Sequence, residues 1–140
     1  MFILDTNILS AMMSLQPVPQ VAGWMNRQPE DLLFTTSISQ AEIFAALAIM
    51  ADGRRRRGLE AAATSIFTDE FDGRVLPFDM EAAIAYAGIF AARRRAGRPA
   101  ATLDLMIAAI ARACGASVVT RDTGGFADCG ITLIDPWTVS

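Results

Sequence analysis

Four acidic side chains stand where the hydrophobic pattern leads one to expect no charge, and together they could hold a hard cation. Asp5 ends the apolar run Phe2-Ile3-Leu4, and Asp122 follows Ser117-Val118-Val119-Thr120-Arg121; Glu42 and Asp104 open apolar helical patterns. Each also has an ordinary explanation. Asp5 or Thr6 can cap the next helix, Ser39-x-x-Glu42 reads as a capping box, and Asp122 can stabilise its own turn ahead of Gly124-Gly125. Asp104, with Thr102 as cap, is a first-turn charge that the helix dipole favours. Beside it, Asp104, Ala108 and Ala111 form a stripe of small residues that leaves room at that face. Taken as a set, the four carboxylates come from two strand ends and two helix starts, which in a parallel sheet all fall on one rim. Ionised carboxylates in one pocket raise one another's pKa unless a cation sits between them. All-oxygen ligands select Mg²⁺ or Mn²⁺. The reaction that suits such an ion is phosphodiester hydrolysis, with the metal polarising a phosphoryl oxygen and activating the attacking water.

The rest of the composition narrows the chemistry. With no His and no Lys in 140 residues, Ser-His-Asp triads, His-ligated zinc, Schiff bases and the P-loop are excluded. The two cysteines, Cys114 and Cys129, are too few for a Cys-rich metal site and read as reduced core filler. Net charge is −3, so any phosphate binding must be local. All basic residues are Arg, and seven of the 12 sit in Arg54–Arg57 and Arg93–Arg95. At about 100° per helical residue neither run can aim all its charges at one partner. These runs read as solvated surface or partner contacts, with RNA phosphates as the other option.

The elements that must position the acids alternate. Strand candidates are Phe2–Leu4, Leu32–Thr36, Val75–Phe78, Ser117–Thr120 and Ile131–Ile134. Between them lie helical patterns at residues 7–13, 55–70 and 81–95, around Ile43, Leu47 and Met50, and from Leu103 to Cys114, with Gly115 as C-cap. No hairpin dipeptide joins successive strands, so the chain reads as one α/β domain over residues 1–140 with a mostly parallel sheet flanked by helices. Pro17 and Pro19, and later Gly97-Arg98-Pro99, mark the loosest connections. With 53% apolar residues and 19% charged, disorder is excluded and an apolar face for a partner subunit is expected. The start lacks the basic stretch of a signal peptide, and no run approaches the roughly 20 residues of a membrane span, which points to the cytoplasm. Trp24, Phe44 and Phe126 read as core or interface.

Leu4-Asp5-Thr6-Asn7, Thr36-Ser37-Ile38-Ser39-Gln40-Ala41-Glu42, the helix from Asp104 to Ala111 and Thr120-Arg121-Asp122 resemble, in order and spacing, the acidic motifs of the PIN-domain ribonucleases, in particular the VapC and FitB toxins of bacterial toxin–antitoxin pairs. Gly53 with the following arginines and Asp135-Pro136-Trp137 look like the FitB branch. The resemblance spans the chain. It implies a five-stranded parallel sheet, a Mg²⁺ or Mn²⁺ site built from Asp5, Glu42, Asp104 and Asp122, and endonucleolytic cleavage of RNA. It also implies that Thr6 or Asn7 steadies the first acid and Thr120 the last, that the chain forms a homodimer, and that it pairs with a small antitoxin through which it meets promoter DNA. The loop Thr123-Gly124-Gly125 departs from the commonest family pattern, where polar or charged residues are more usual. Arg98, near Asp104 in sequence, is a positional candidate for RNA contact. Two rivals remain: a non-catalytic subunit that presents an antitoxin at DNA, and a DNA flap nuclease. A phosphorelay receiver is disfavoured because its Lys cannot exist here.

Overall fold

The computed structural model describes residues 1–16 and 18–139. It contains β1 (Phe2–Leu4), α1 (Thr6–Met13), α2 (Pro19–Asn26), β2 (Leu33–Thr36), α3 (Ser37–Ala48), α4 (Arg54–Ser65), β3 (Val75–Leu76), α5 (Met80–Arg95), α6 (Thr102–Cys114), β4 (Ser117–Val119) and β5 (Leu133–Ile134). The strands form one sheet in the order β3-β2-β1-β4-β5, and every neighbouring pair is parallel. From β1 the chain works outward through β2 and β3, then returns to the other side of β1 for β4 and β5. Strand order therefore reverses between β1 and β4, which pair through Phe2 with Ser117 and Leu4 with Val119. The carboxyl ends of two strands at such a reversal border a crevice, the usual ligand position in an open α/β sheet.

Alternation along the two central strands divides the core. Ile3 and Val118 face α5 and α6, packing with Ile89, Ile107, Ile110 and Phe126, whereas Leu4 and Val119 face Ile8, Trp24, Ile43, Leu47 and Phe67. Both faces are covered, as a parallel sheet requires. The alanines of α6 are part of this packing. Ala108 and Ala111 are fully buried, so these two small residues let α6 approach its neighbours closely and open no space for a ligand, unlike Asp104 at the start of the helix.

Several local expectations change. The Leu103–Cys114 pattern becomes a helix capped by Gly115 at φ 67°, but its N-cap is Ala101, without a side-chain bond, and not Thr102. The capping box at Ser39 and Glu42 does not form: Thr36 is the N-cap, accepting from the Ser39 N–H at 3.1 Å. The helix therefore starts earlier and carries Glu42 in its second turn. The 55–70 pattern continues past α4 only as a π-helical turn at Ile66–Glu70. Pro19 starts a helix, since Pro fits the first helical position, and Trp24 on that helix meets Phe2 edge-on at 5.2 Å. Pro17 lies outside the described residues. Cys129 is buried, but Cys114 is exposed and fills no core. Among the described residues no helix is long and apolar enough to cross a membrane.

Candidate active site

Asp5 is the first residue beyond β1. Its N–H still donates to the Val119 carbonyl at 2.9 Å, so the sheet fixes its backbone while its side chain caps α1. One carboxylate oxygen accepts the Thr6 N–H at 2.8 Å, and the other accepts the Thr120 hydroxyl at 2.9 Å with the Asn7 amide at 3.4 Å. The capping role and the site role thus coexist in one side chain. Asp5 is 4% exposed. Burial pushes its carboxyl up, the bonds from Thr6 and Thr120 oppose that, and the charges of Glu42 and Asp122 raise it further.

Thr120 ties the two strand ends together. Besides donating to Asp5, its hydroxyl accepts from the Asn7 amide at 3.2 Å and from the Asp122 N–H at 3.0 Å. Thr6 reaches elsewhere: its hydroxyl donates to Glu42 Oε1 at 2.9 Å and lies 3.0 Å from the hydroxyl of Ser39. Glu42 is thereby joined to the β1 end across the α1–α3 contact. Asp122 closes its own turn by accepting the Gly125 N–H at 3.1 Å.

Asp104, in the first turn of α6, is pushed up to about 6, first by burial and then by Asp5, Glu42 and Asp122, with Arg93 opposing. Asp104 feels all three other acids, so the four carboxylates share one electrostatic field. They also line one cleft of about 560 Å³, with Ser10, Arg121 and Trp137 among its other walls. Gly125 explains the unusual loop. An ideal Cβ there would lie 2.9 Å from Asp122 Oδ2 and 3.3 Å from Asp104 Oδ2, so the absent side chain lets the loop pass beside both carboxylates.

The donor set suits a hard divalent ion: all of it is oxygen, burial and repulsion raise two of its members, and Arg121 is the one cation among the lining residues. The carboxylates stand around an open cleft, and among the described residues no three acidic side chains are closed about one point as ready-made ligands.

Sequence reasoning missed three contributors. Ser39, fully buried beside Thr6, is hidden by the apparent capping box. Arg93, taken as part of a surface run, is 4% exposed and donates to the carbonyls of Gly124 and Ala127, bracing the turn that follows Asp122. Arg121 lies inside Thr120-Arg121-Asp122, but the sequence does not show that it lines the cleft. Arg98, in contrast, pairs with Asp128 at 3.1 Å on the surface and is not among the lining residues.

Comparison with known proteins identifies the family and the fold. Residues 2–130 match the family model described as the PIN domain. The chain is 39% identical to the plasmid stability protein StbB of Pseudomonas syringae pv. tomato, over 98% of this chain and 99% of that protein. It is 36% identical to the VapC ribonuclease Y4jK of Sinorhizobium fredii, over 98% of each. The solved structure of FitAB bound to an IR36 DNA fragment superposes with a TM-score of 0.91 at 31% identity, covering 100% of this chain and 98% of that one. A match over nearly the whole length, with the acidic residues gathered at the sheet's switch point, places this chain in the PIN-domain family, among proteins of the VapC/FitB toxin type.

Proposed function

We propose that this protein is a Mg²⁺- or Mn²⁺-dependent endoribonuclease and the toxin of a type II toxin–antitoxin pair, hydrolysing RNA phosphodiester bonds with water. The observation that carries this reading is the meeting of Asp5, Glu42, Asp104 and Asp122, from four separate segments, around one cleft with a single cation in its wall. The bound ion would neutralise charge on the phosphoryl group and make water a stronger nucleophile near neutral pH. Asp5, Glu42, Asp104 and Asp122 would hold it. Asp5 is fixed by Thr6 and Thr120, and Glu42 by the Thr6 hydroxyl, so these two are held before any ion arrives. Asp104 and Asp122, less tightly bonded, can close on it. Without His or Lys, the side chains that most often drive attack by the ribose 2′-OH are missing, and the carboxylates of the cleft are assigned to the ion.

Purified protein with single-stranded RNA and Mg²⁺ or Mn²⁺ is expected to release fragments with 5′-phosphate and 3′-hydroxyl ends. Chelator and Asp104→Asn should both stop cleavage, and Asp5→Ala should remove growth arrest as well. Products with 2′,3′-cyclic phosphate, or normal cleavage by Asp104→Asn, count against the reading.

The same reading carries partners. A groove of about 710 Å³ lined by Met13, Leu15, Leu59 and Ala62 with Arg54 and Arg55 offers an apolar and basic surface to an antitoxin segment, and DNA is reached through that antitoxin. On α5, Met80 and Ile84 are 84% and 75% exposed, an apolar face suited to a second copy in a homodimer. The working compartment is the cytoplasm. The FitAB–DNA complex favours one rival, a non-catalytic subunit that only presents its antitoxin to DNA; antitoxin binding without metal-dependent cleavage identifies that case.

A further inference from the structure

Arg121 occupies an unusual position for a cation. It is the one basic residue among those lining a cleft with four acids, yet it forms no ion pair among the described residues. Its guanidinium carbon instead lies 4.9 Å from the centroid of the Trp137 ring. Both ends of this pair are anchored. The Arg121 N–H donates to Asn7 Oδ1 at 3.2 Å, the Trp137 N–H donates to Asp135 Oδ1 at 2.9 Å, and the Trp137 ring packs against the core on the α1–α3 side of the sheet.

A guanidinium placed to quench the acids would be expected to fork onto one of them, because a bidentate carboxylate pair is its strongest ordinary contact. Stacking over the indole holds it apart, and cation–π attraction makes that position favourable. With its carbon over the ring and no ion pair among the described residues, the guanidinium keeps N–H groups available for two oxygens of a phosphate. Every other charged residue in the wall of this cleft is acidic, so an approaching RNA strand finds no second cation there. Resting on the nuclease reading above, we infer that Arg121, held by Trp137, is a substrate-binding residue that grips a backbone phosphate of the RNA strand at the mouth of the acidic cleft. In that role it positions the strand and moves no proton.

The test compares wild type with Arg121→Ala, Arg121→Lys and Trp137→Phe, each checked for an unchanged thermal midpoint. Cleavage of a short labelled single-stranded RNA is followed in Mg²⁺, and binding of the same RNA is followed in Ca²⁺ across a salt series. Arg121→Ala should raise KM about tenfold, the loss of one charge-assisted contact, with kcat within about twofold. The slope of log Kd against log salt should become shallower by about 0.7, one single-strand phosphate contact. Arg121→Lys should restore the slope with weaker binding, and Trp137→Phe should raise KM less than Arg121→Ala. An unchanged slope and KM in Arg121→Ala, or a fall confined to kcat, overturns the assignment. If wild type cleaves no RNA, the nuclease reading falls, while the salt slope still decides whether Arg121 grips phosphate.

Discussion

Asp104 shows how much of a site's character one side chain can reveal. In the folded protein its carboxyl titrates near 6, against 3.8 for an ordinary aspartate, because burial and three neighbouring acids disfavour its charge. Between pH 4 and pH 6 the folded state keeps a proton that the unfolded chain releases, so stability falls as pH rises through that window and stays reduced above it. In chelator, Asp104→Asn should therefore melt higher than wild type at pH 8 and show a flatter dependence from pH 4 to 6.5; a matching pH profile would remove the repulsion from the account. Gly125 offers a second test at this scale. With an added methyl group 2.9 Å from Asp122 Oδ2, Gly125→Ala should weaken metal binding or cleavage about 10- to 100-fold, the usual effect of disturbing residues behind the ligands, read by titration of Mn²⁺. The four acids were legible in the sequence because charge interrupts an apolar pattern. The close approach at Gly125 was not, because a glycine pair in a loop looks the same whether or not two carboxylates sit beside it.

At the scale of elements, periodicity located the strands and the long helices, with small shifts at their ends. It failed where short-range signals compete. Ser39-x-x-Glu42 has the letters of a capping box, but Thr36 caps first and Ser39 and Glu42 face α1, where the Thr6 hydroxyl donates to Glu42 and lies beside the Ser39 hydroxyl. α2 was missed because eight residues containing Pro and Gly carry weak helical propensity; contacts such as the Phe2–Trp24 pair hold it. The clearest dependence of one element on another is α5 on the turn after β4. Arg93 bonds the Gly124 and Ala127 carbonyls from within the core, while its Nε has no partner among the described residues. Replacing Arg93 with Met should cost about 2 kcal/mol, typical of losing buried bonds to a charged group. It should also speed hydrogen exchange at the Gly125 N–H, which Asp122 accepts. Slow exchange in the variant would show that the turn stands without its brace.

For the whole molecule, a parallel sheet covered on both faces followed from the lack of hairpin signals, and the strand order did not. Nothing local distinguishes a crossover to the left of β1 from one to the right; the order emerges only when Ile3 and Val118 share one core and Leu4 and Val119 the other. The apolar excess in composition has two destinations, these cores and exposed positions such as Met80 and Ile84. If the α5 face joins two copies, Ile84→Glu should shift the species seen by light scattering from dimer to monomer without lowering the monomer's helix content. An unchanged dimer would move the interface elsewhere.

The pairing of β1 with β4 also governs when the acidic cleft can exist. Asp5 and its partner Thr120 are separated by 115 positions, so that contact cannot form until the chain has been made as far as β4 and closing so long a loop carries an entropic cost. A nascent polypeptide that has emerged only through β3 and α5 holds Asp5 and Glu42 but neither Asp104 nor Asp122. On the proposed activity, a ribosome making this toxin is protected from it through most of the synthesis, by topology alone and before any antitoxin binds.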